Sequence, residues 1–249
     1  MSVFISSVAV VAPTFPAKKL EKIGDEADMK TKRLPRLDRL AIAAARQALG
    51  ATPTDGLALV VGTGFGGLQA TVDFLEGMAA RGPQFGSPTA FHESVHHAPA
   101  GQISILLGIT GLSLTSSARE LSGETALREG VDLIEAGRAK RVLVVCSEEI
   151  VPALEAAYRA FGSTVHLSEG AAALVLTSEK TDVEVSRVDI TARPTTTLRY
   201  VTMPPPEEQE QGLIRIARAV QRVRDGSASE RVVAFAMGGG EATVELKRP

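Results

Sequence analysis

Three serines and a glutamate that could carry chemistry, Ser116, Ser117, Ser122 and Glu120, crowd one short stretch, LSLTSSARELSGETALREG. Residues 112–117 run Leu, Ser, Leu, Thr, Ser, Ser, which opens with the alternation of a strand. Leu121, Thr125, Val131 and Ile134 then give helical spacing, with small Gly123 and Ala126 between them for close packing on a sheet. A strand–elbow–helix turn often seats a nucleophile, because the helix N-terminus stabilises negative charge. The residue at this elbow is Glu120. A serine nucleophile of the hydrolase type needs G-x-S-x-G, and ARELSGE does not supply it. The serines fit helix capping instead, with Glu124 back-bonding to complete a capping box. As a general base Glu120 would need a raised pKa and a partner. As an anion at a helix start it contributes about 0.3–1 kcal/mol.

Three other groups could carry chemistry. GTGFGG at 62–67 satisfies G-x-G-x-x-G between a strand and a helix. No second strand ending in an acidic residue follows at the distance a ribose contact requires; that region is Gly82-Pro83-Gln84. The glycines are expected to let backbone pass close to a neighbour. His92, His96 and His97 cluster, with Glu93 and His166 as further candidates, but the spacing matches no zinc pattern. Cys146 is the single cysteine, which excludes an internal disulfide and multi-cysteine metal motifs.

The elements that must position these residues alternate between strand and helix. Val3 to Val11, Leu57 to Val61, Val142 to Val145 and Ala171 to Leu176 read as strands, and Val183 to Ile190 as the hairpin partner of the last. Leu37, Leu40, Ala41, Ala44 and Ala48 mark one helix face closed by Gly50. Gln69 to Ala80 is a second helix, and Leu213, Ile216, Ala217, Val220 and Val223 mark a late one. Residues 81–101, rich in Gly, Pro and His, should be irregular, and 192–211 a polar loop. Val232 to Met237 and Thr243 to Leu246 close the chain as paired strands. The alternation predicts an α/β fold with a mostly parallel sheet.

Composition narrows the class. In 249 residues, 44% are apolar and the net charge is −2, as in a soluble globular protein. No feature favours nucleic acid, and aromatics at 4% with no Trp leave no stacking platforms. No apolar run approaches the roughly 20 residues of a membrane span. The N-terminal MSVFISSVAVVAP lacks a basic region and reads as a strand, so a cytoplasmic location is expected.

Together these segments resemble the β-ketoacyl synthases of the thiolase-like fold. GTGFGG, then GSPTAF and HHAPAGQISILLGITG, are similar to the family's Gly-rich turn, its S-P-x-x-F loop and its N-x-x-A-G-x-x-S-I-x-L-G-x-x-G helix. GRAKRVLVVCSEE, HLSEGAAALVLTSE and FAMGGGEATVEL resemble later blocks in the family's order. The resemblance implies one ketosynthase-like domain over 1–249. Residues 1–165 form a first half containing the elbow, and 166–249 an abbreviated second half.

The departures bear on function. The family's A-C-x-S-G motif falls on Arg119-Glu120-Leu121-Ser122-Gly123, so Glu120 stands where the nucleophilic cysteine would be. The two histidines the family draws from its second half have no counterpart between Glu179 and Phe235, and His97 replaces the asparagine of the N-x-x-A-G block. Cys146 lies on the next strand and reads as a small buried residue. Without thiol and histidines, the family's condensation lacks a nucleophile and an oxyanion partner. The resemblance then implies no catalytic residue, cofactor or metal, and a chain-length-factor-like subunit that pairs with an active ketosynthase. Small members of this kind occur with aryl-polyene-type polyketide systems, and KRLPRLDRLA at 32–41 resembles their basic lead-in to the first helix.

On this reading Leu112, Ser113, Leu114, Thr115, Ser116, Ser117 and Ala118 form the pairing edge, and Glu120, His97, Phe235 and Met237 line the pocket. An acyl carrier protein could dock on the basic runs Lys30, Lys32, Arg33, Arg36, Arg39 and Arg215, Arg218, Arg222, although a solvated helix face is the commoner use. Two alternatives stand beside it. One is a homodimeric acyl-binding or scaffold protein; the other is an enzyme with Glu120 as base assisted by His97 or Ser122.

Overall fold

The structure is a computed structural model that describes residues 2–14, 17–24, 30–161, 167–191, 212–235 and 240–249. Eight strands form one sheet: β1 (Val3–Val11), β2 (Ala58–Gly62), β3 (Ser113–Ser116), β4 (Arg141–Glu148), β5 (Gly170–Thr177), β6 (Glu184–Thr191), β7 (Ser229–Phe235) and β8 (Glu241–Lys247). Their order is β3-β2-β4-β5-β1-β6-β8-β7. The helices are α1 (Arg36–Leu49), α2 (Leu68–Arg81), α3 (Pro88–Ser94), α4 (Ala98–Leu107), α5 (Ser122–Glu135), α6 (Pro152–Ala160) and α7 (Gly212–Asp225).

The period-2 geometry of the central strands divides the core between two faces. On β4, Val142, Val144 and Cys146 point to the α5/α7 side, while Leu143 and Val145 point to the α1 side. Both sets are buried, which is why these strands read as continuous apolar runs. α1 is buried nearly all round because it lies between the sheet and α4. Its small alanines permit that sandwiching. α5 approaches the other face closely; a Cβ on Gly130 would lie 2.7 Å from a Val144 methyl. Gly137, with φ of +68°, ends that helix as expected.

The α/β class is as expected, but three expectations of detail are corrected. The sheet is mixed rather than mostly parallel: β2 runs parallel to β3 and β4, and the other neighbouring pairs are antiparallel. The reason is α6, which packs at the strand ends against Phe65 and Leu68 instead of crossing over a face, so β5 returns antiparallel to β4. β6 is not the hairpin partner of β5. The N-terminal strand β1 pairs with both and separates them. Residues 81–101 are not irregular, since they contain α3 and the start of α4. Their prolines start helices: Pro88 and Pro99 sit in first turns, and the Ser87 hydroxyl accepts from the Ala90 amide at 3.2 Å. The expected 192–211 loop lies outside the described residues.

Candidate functional site

The elbow joins β3 to α5 through a single turn of 3₁₀ helix, Arg119–Leu121. Arg119 has φ of +52°, and it is the one non-glycine residue with positive φ among the described residues. Such a conformation costs about 1–3 kcal/mol and needs support from its surroundings. Ser122 supplies part of that support: its hydroxyl accepts from the Ala118 amide at 2.9 Å and donates to the Arg119 carbonyl at 2.6 Å. The glycine-rich turn supplies the rest. A Cβ on Gly64 would lie 2.6 Å from the Arg119 carbonyl oxygen, and one on Gly62 would overlap that of Ser122. These glycines therefore seat the elbow, as the close-approach reading expected.

Glu120 points at α6. Its Oε1 accepts from the Tyr158 hydroxyl at 2.9 Å, while Oε2 is buried with no hydrogen-bond partner. Tyr158 is 8% exposed and packs with Val151, Leu154 and Phe65, whose ring meets it edge-on at 6.3 Å between centroids. Burial, then the charge of Glu120 and the hydrogen bond to it, raise the Tyr158 pKa well above the ordinary phenol value. The phenol stays protonated and donates.

Carboxylates at the strand ends organise the surroundings. Glu148, at the end of β4, accepts from the Gly64 amide and, at 3.4 Å, from the Thr63 hydroxyl. Burial nevertheless pushes its pKa up to about 8, against the lowering effect of hydrogen bonds from Gly64, Thr63 and Phe65. Glu149 accepts from the Gln69 amide at 3.3 Å and from the Leu37 amide, so it serves the N-termini of α2 and α1 together. Glu169 takes both Arg36 and the Leu20 amide, tying segment 17–24 to the start of β5. Glu124 is different. It is 1% exposed, neither oxygen has a hydrogen-bond partner, and burial pushes its pKa up to about 7. Its carboxyl occupies the space a side chain on Gly212 would need. The expected capping box is therefore not made; the start of α7 packs where Glu124 would have reached back.

The residues expected to act separate into groups. β3 is an edge strand, paired with β2 alone among the described residues. Ser113, Leu114 and Ser117 are exposed there, with Leu112, Thr115 and Ala118 half-buried. Ser116 is buried and donates to Glu129, so its side chain faces inward rather than toward a partner. Ala118 and Leu121 pack on Ala234 and Ala242, which brings the closing strands to the elbow. Phe235 ends β7, while its side chain and Met237 lie outside the described residues. His97 is the exposed residue before α4, and the His96 ring lies against Gly66. Among the described residues no three His, Cys, Asp or Glu side chains converge as metal ligands. Cys146 is buried, and desolvation with the charges of Glu148 and Glu124 raises its pKa well above the ordinary thiol value. Arg36 and Arg222 of the basic runs are engaged internally, with Glu169 and Glu230. No helix among the described residues is long and apolar enough to cross a membrane.

Sequence reasoning missed Tyr158, because nothing in a residue 38 positions away marks it as the partner of Glu120. The Glu148-Glu149 pair carried a usable signal: two acids at the end of a buried strand must find donors there.

Comparison with known proteins agrees with this geometry. The family model described as "Beta-ketoacyl synthase, N-terminal domain" matches residues 12–232. No curated protein matches the sequence. Among solved structures, the chain is similar to one in the ketosynthase ApeO in complex with its chain length factor ApeC from Xenorhabdus doucetiae. There the identity is 21%, all of both chains is covered and the TM-score is 0.72. It is similar to the ishigamide ketosynthase/chain length factor at 16% identity and TM-score 0.80, covering 100% of this chain and 99% of that one. AntDE:AntF, a type II polyketide synthase acyl carrier protein in complex with its ketosynthase, gives 16%, 0.81 and the same coverage. At these identities the structural likeness speaks for the fold, and the family match over most of the sequence speaks for descent. The chain belongs to the β-ketoacyl synthase family.

Proposed function

We propose that the protein is a non-catalytic, chain-length-factor-like subunit that pairs with an active β-ketoacyl synthase during chain elongation on an acyl carrier protein. The observation that carries this reading is Glu120. It stands in the nucleophile's place, and its carboxylate is occupied by the Tyr158 hydroxyl. A carboxylate there would repel the oxyanion of an acyl thioester under attack. Cys146 offers no substitute, being buried and held as the thiol. The partner would use the free edge of β3, where unpaired backbone groups and Leu114, 38% exposed, invite a further strand. The solved relatives named above include ketosynthase–chain length factor complexes and one with a carrier protein, which fits the same reading.

Co-expression with the ketosynthase of the same biosynthetic cluster tests it. A stoichiometric complex is expected, with altered product length when the chain is deleted; no complex and unchanged products would overturn it. Light scattering of the isolated chain addresses the homodimer alternative, since a stable homodimer would favour the same edge pairing with itself. The base alternative is weakened by Ser122, whose hydroxyl is consumed within the elbow.

A further inference from the structure

We propose that Tyr158 is a positioning residue for Glu120, and that the pair plugs the vacated nucleophile site so that no acyl thioester enters this subunit. The inference rests on the subunit reading above and says what its degenerate site does. Three observations support it. The hydroxyl of Tyr158 reaches from α6 to Glu120 Oε1 at 2.9 Å, joining that helix to the elbow. The ring is clamped between Phe65 of the glycine-rich turn and Val151 and Leu154 of its own segment, so the hydroxyl has little freedom to leave. Oε2 is buried without a partner, which means that the carboxylate is held by the phenol against its tendency to turn toward water. Ser122 and the inverted Arg119 backbone fix the other end of the plug.

The chemistry of exclusion follows. An acyl thioester approaching the elbow would meet a fixed anion, where a thiol would otherwise attack its carbonyl. It would also have to displace the Tyr158 ring from its apolar seat. Removing the hydroxyl alone leaves Glu120 with no donor; the carboxylate then turns to solvent and the elbow opens.

The test uses the full chain and octanoyl-pantetheine as the probe, with binding followed by saturation-transfer NMR. The wild-type chain is expected to stay closed, and Tyr158→Phe and Glu120→Ala to gain affinity by about tenfold or more. Glu120→Gln removes the anion but keeps an acceptor for the phenol, and is expected to gain less affinity than Tyr158→Phe; a gain as large as that of Tyr158→Phe would overturn the positioning role of the phenol. A merely structural role for Tyr158 would lower stability in the variants without moving thioester binding. Tyr158→Phe is close to isosteric, so loss of fold does not confuse the result. Equal binding by wild type and Tyr158→Phe, or a Tyr158→Phe chain that stays closed, would overturn the plug. Complex formation with the ketosynthase is scored separately. A chain that pairs but never opens sinks the plug alone, and one that opens but never pairs sinks the subunit reading alone.

Discussion

Glu169, just ahead of β5, and Glu124, in α5, are both withdrawn from water, yet only Glu169 is answered by a cation. Glu169 works on the α1 side, where Arg36 and the Leu20 amide share its two oxygens. Glu124 works on the opposite side, under the start of α7, and its nearest cationic influence is Arg215, acting only through space. The difference teaches what each side is for. The α1 side is a lock: a buried ion pair is worth little in itself but costs much to break, so it fixes the segment it joins. The α5 side tolerates a polar group without a partner beside the elbow, and packing of α7 and the closing strands must keep it there.

Four substitutions would break or sharpen this contrast. The largest effect is expected from Arg36→Met, which strands Glu169 as a buried charge. A loss of about 3–5 kcal/mol should appear in urea unfolding, and a loss as small as that of a surface pair would end the contrast. Gly64→Ala comes next, since its Cβ would lie 2.6 Å from the Arg119 carbonyl oxygen. Overpacking of that kind costs about 1–3 kcal/mol, read as a fall in Tm.

The third concerns protons. The folded pKa of Glu124, about 7, lies above the ordinary carboxyl value of 4.5, so between these values the folded chain binds more protons than the unfolded one. Stability from this group is therefore complete below about pH 4.5 and is lost as pH rises through about 7. Burial gives Asp38 the same sign with a value near 7, and Glu148 extends the window to about 8. Wild-type Tm should decline from pH 5 to pH 8, and Glu124→Gln should flatten that decline, by on the order of 2 kcal/mol at the alkaline end. An unchanged slope would mean that Glu124 is solvated. The smallest effect on the fold belongs to Leu114→Lys, on an exposed edge. Stability of the isolated chain should move by no more than about 0.5 kcal/mol, while pairing with a ketosynthase should weaken in a pull-down. Undiminished pairing would remove β3 from the interface.

Much of the framework was legible in the sequence, and for identifiable reasons. Val3 to Val11 and the helix from Leu37 announced themselves by apolar pattern, and the structure places β1 and α1 there. The glycines of GTGFGG were read as points of close approach, and Gly62 and Gly64 touch the elbow backbone. Local pattern failed where the partner was distant. β6 looked like the hairpin mate of β5 because they are neighbours in sequence, but a strand from the other end of the chain took the place between them. Residues 81–101 looked irregular because they are rich in Gly, Pro and His, although Pro88 and Pro99 sit in first helical turns, which suit proline.

By itself, then, the sequence determined most of the secondary elements, the family and the glutamate at position 120, because these depend on residue type, order and spacing. Tertiary structure alone decided what Glu120 meets. Its partner, Tyr158, arrives on a helix brought over the elbow by packing on Phe65 and Leu68. It also decided which buried acids are answered, because a carboxylate's state depends on donors and low-dielectric surroundings that only the folded chain assembles.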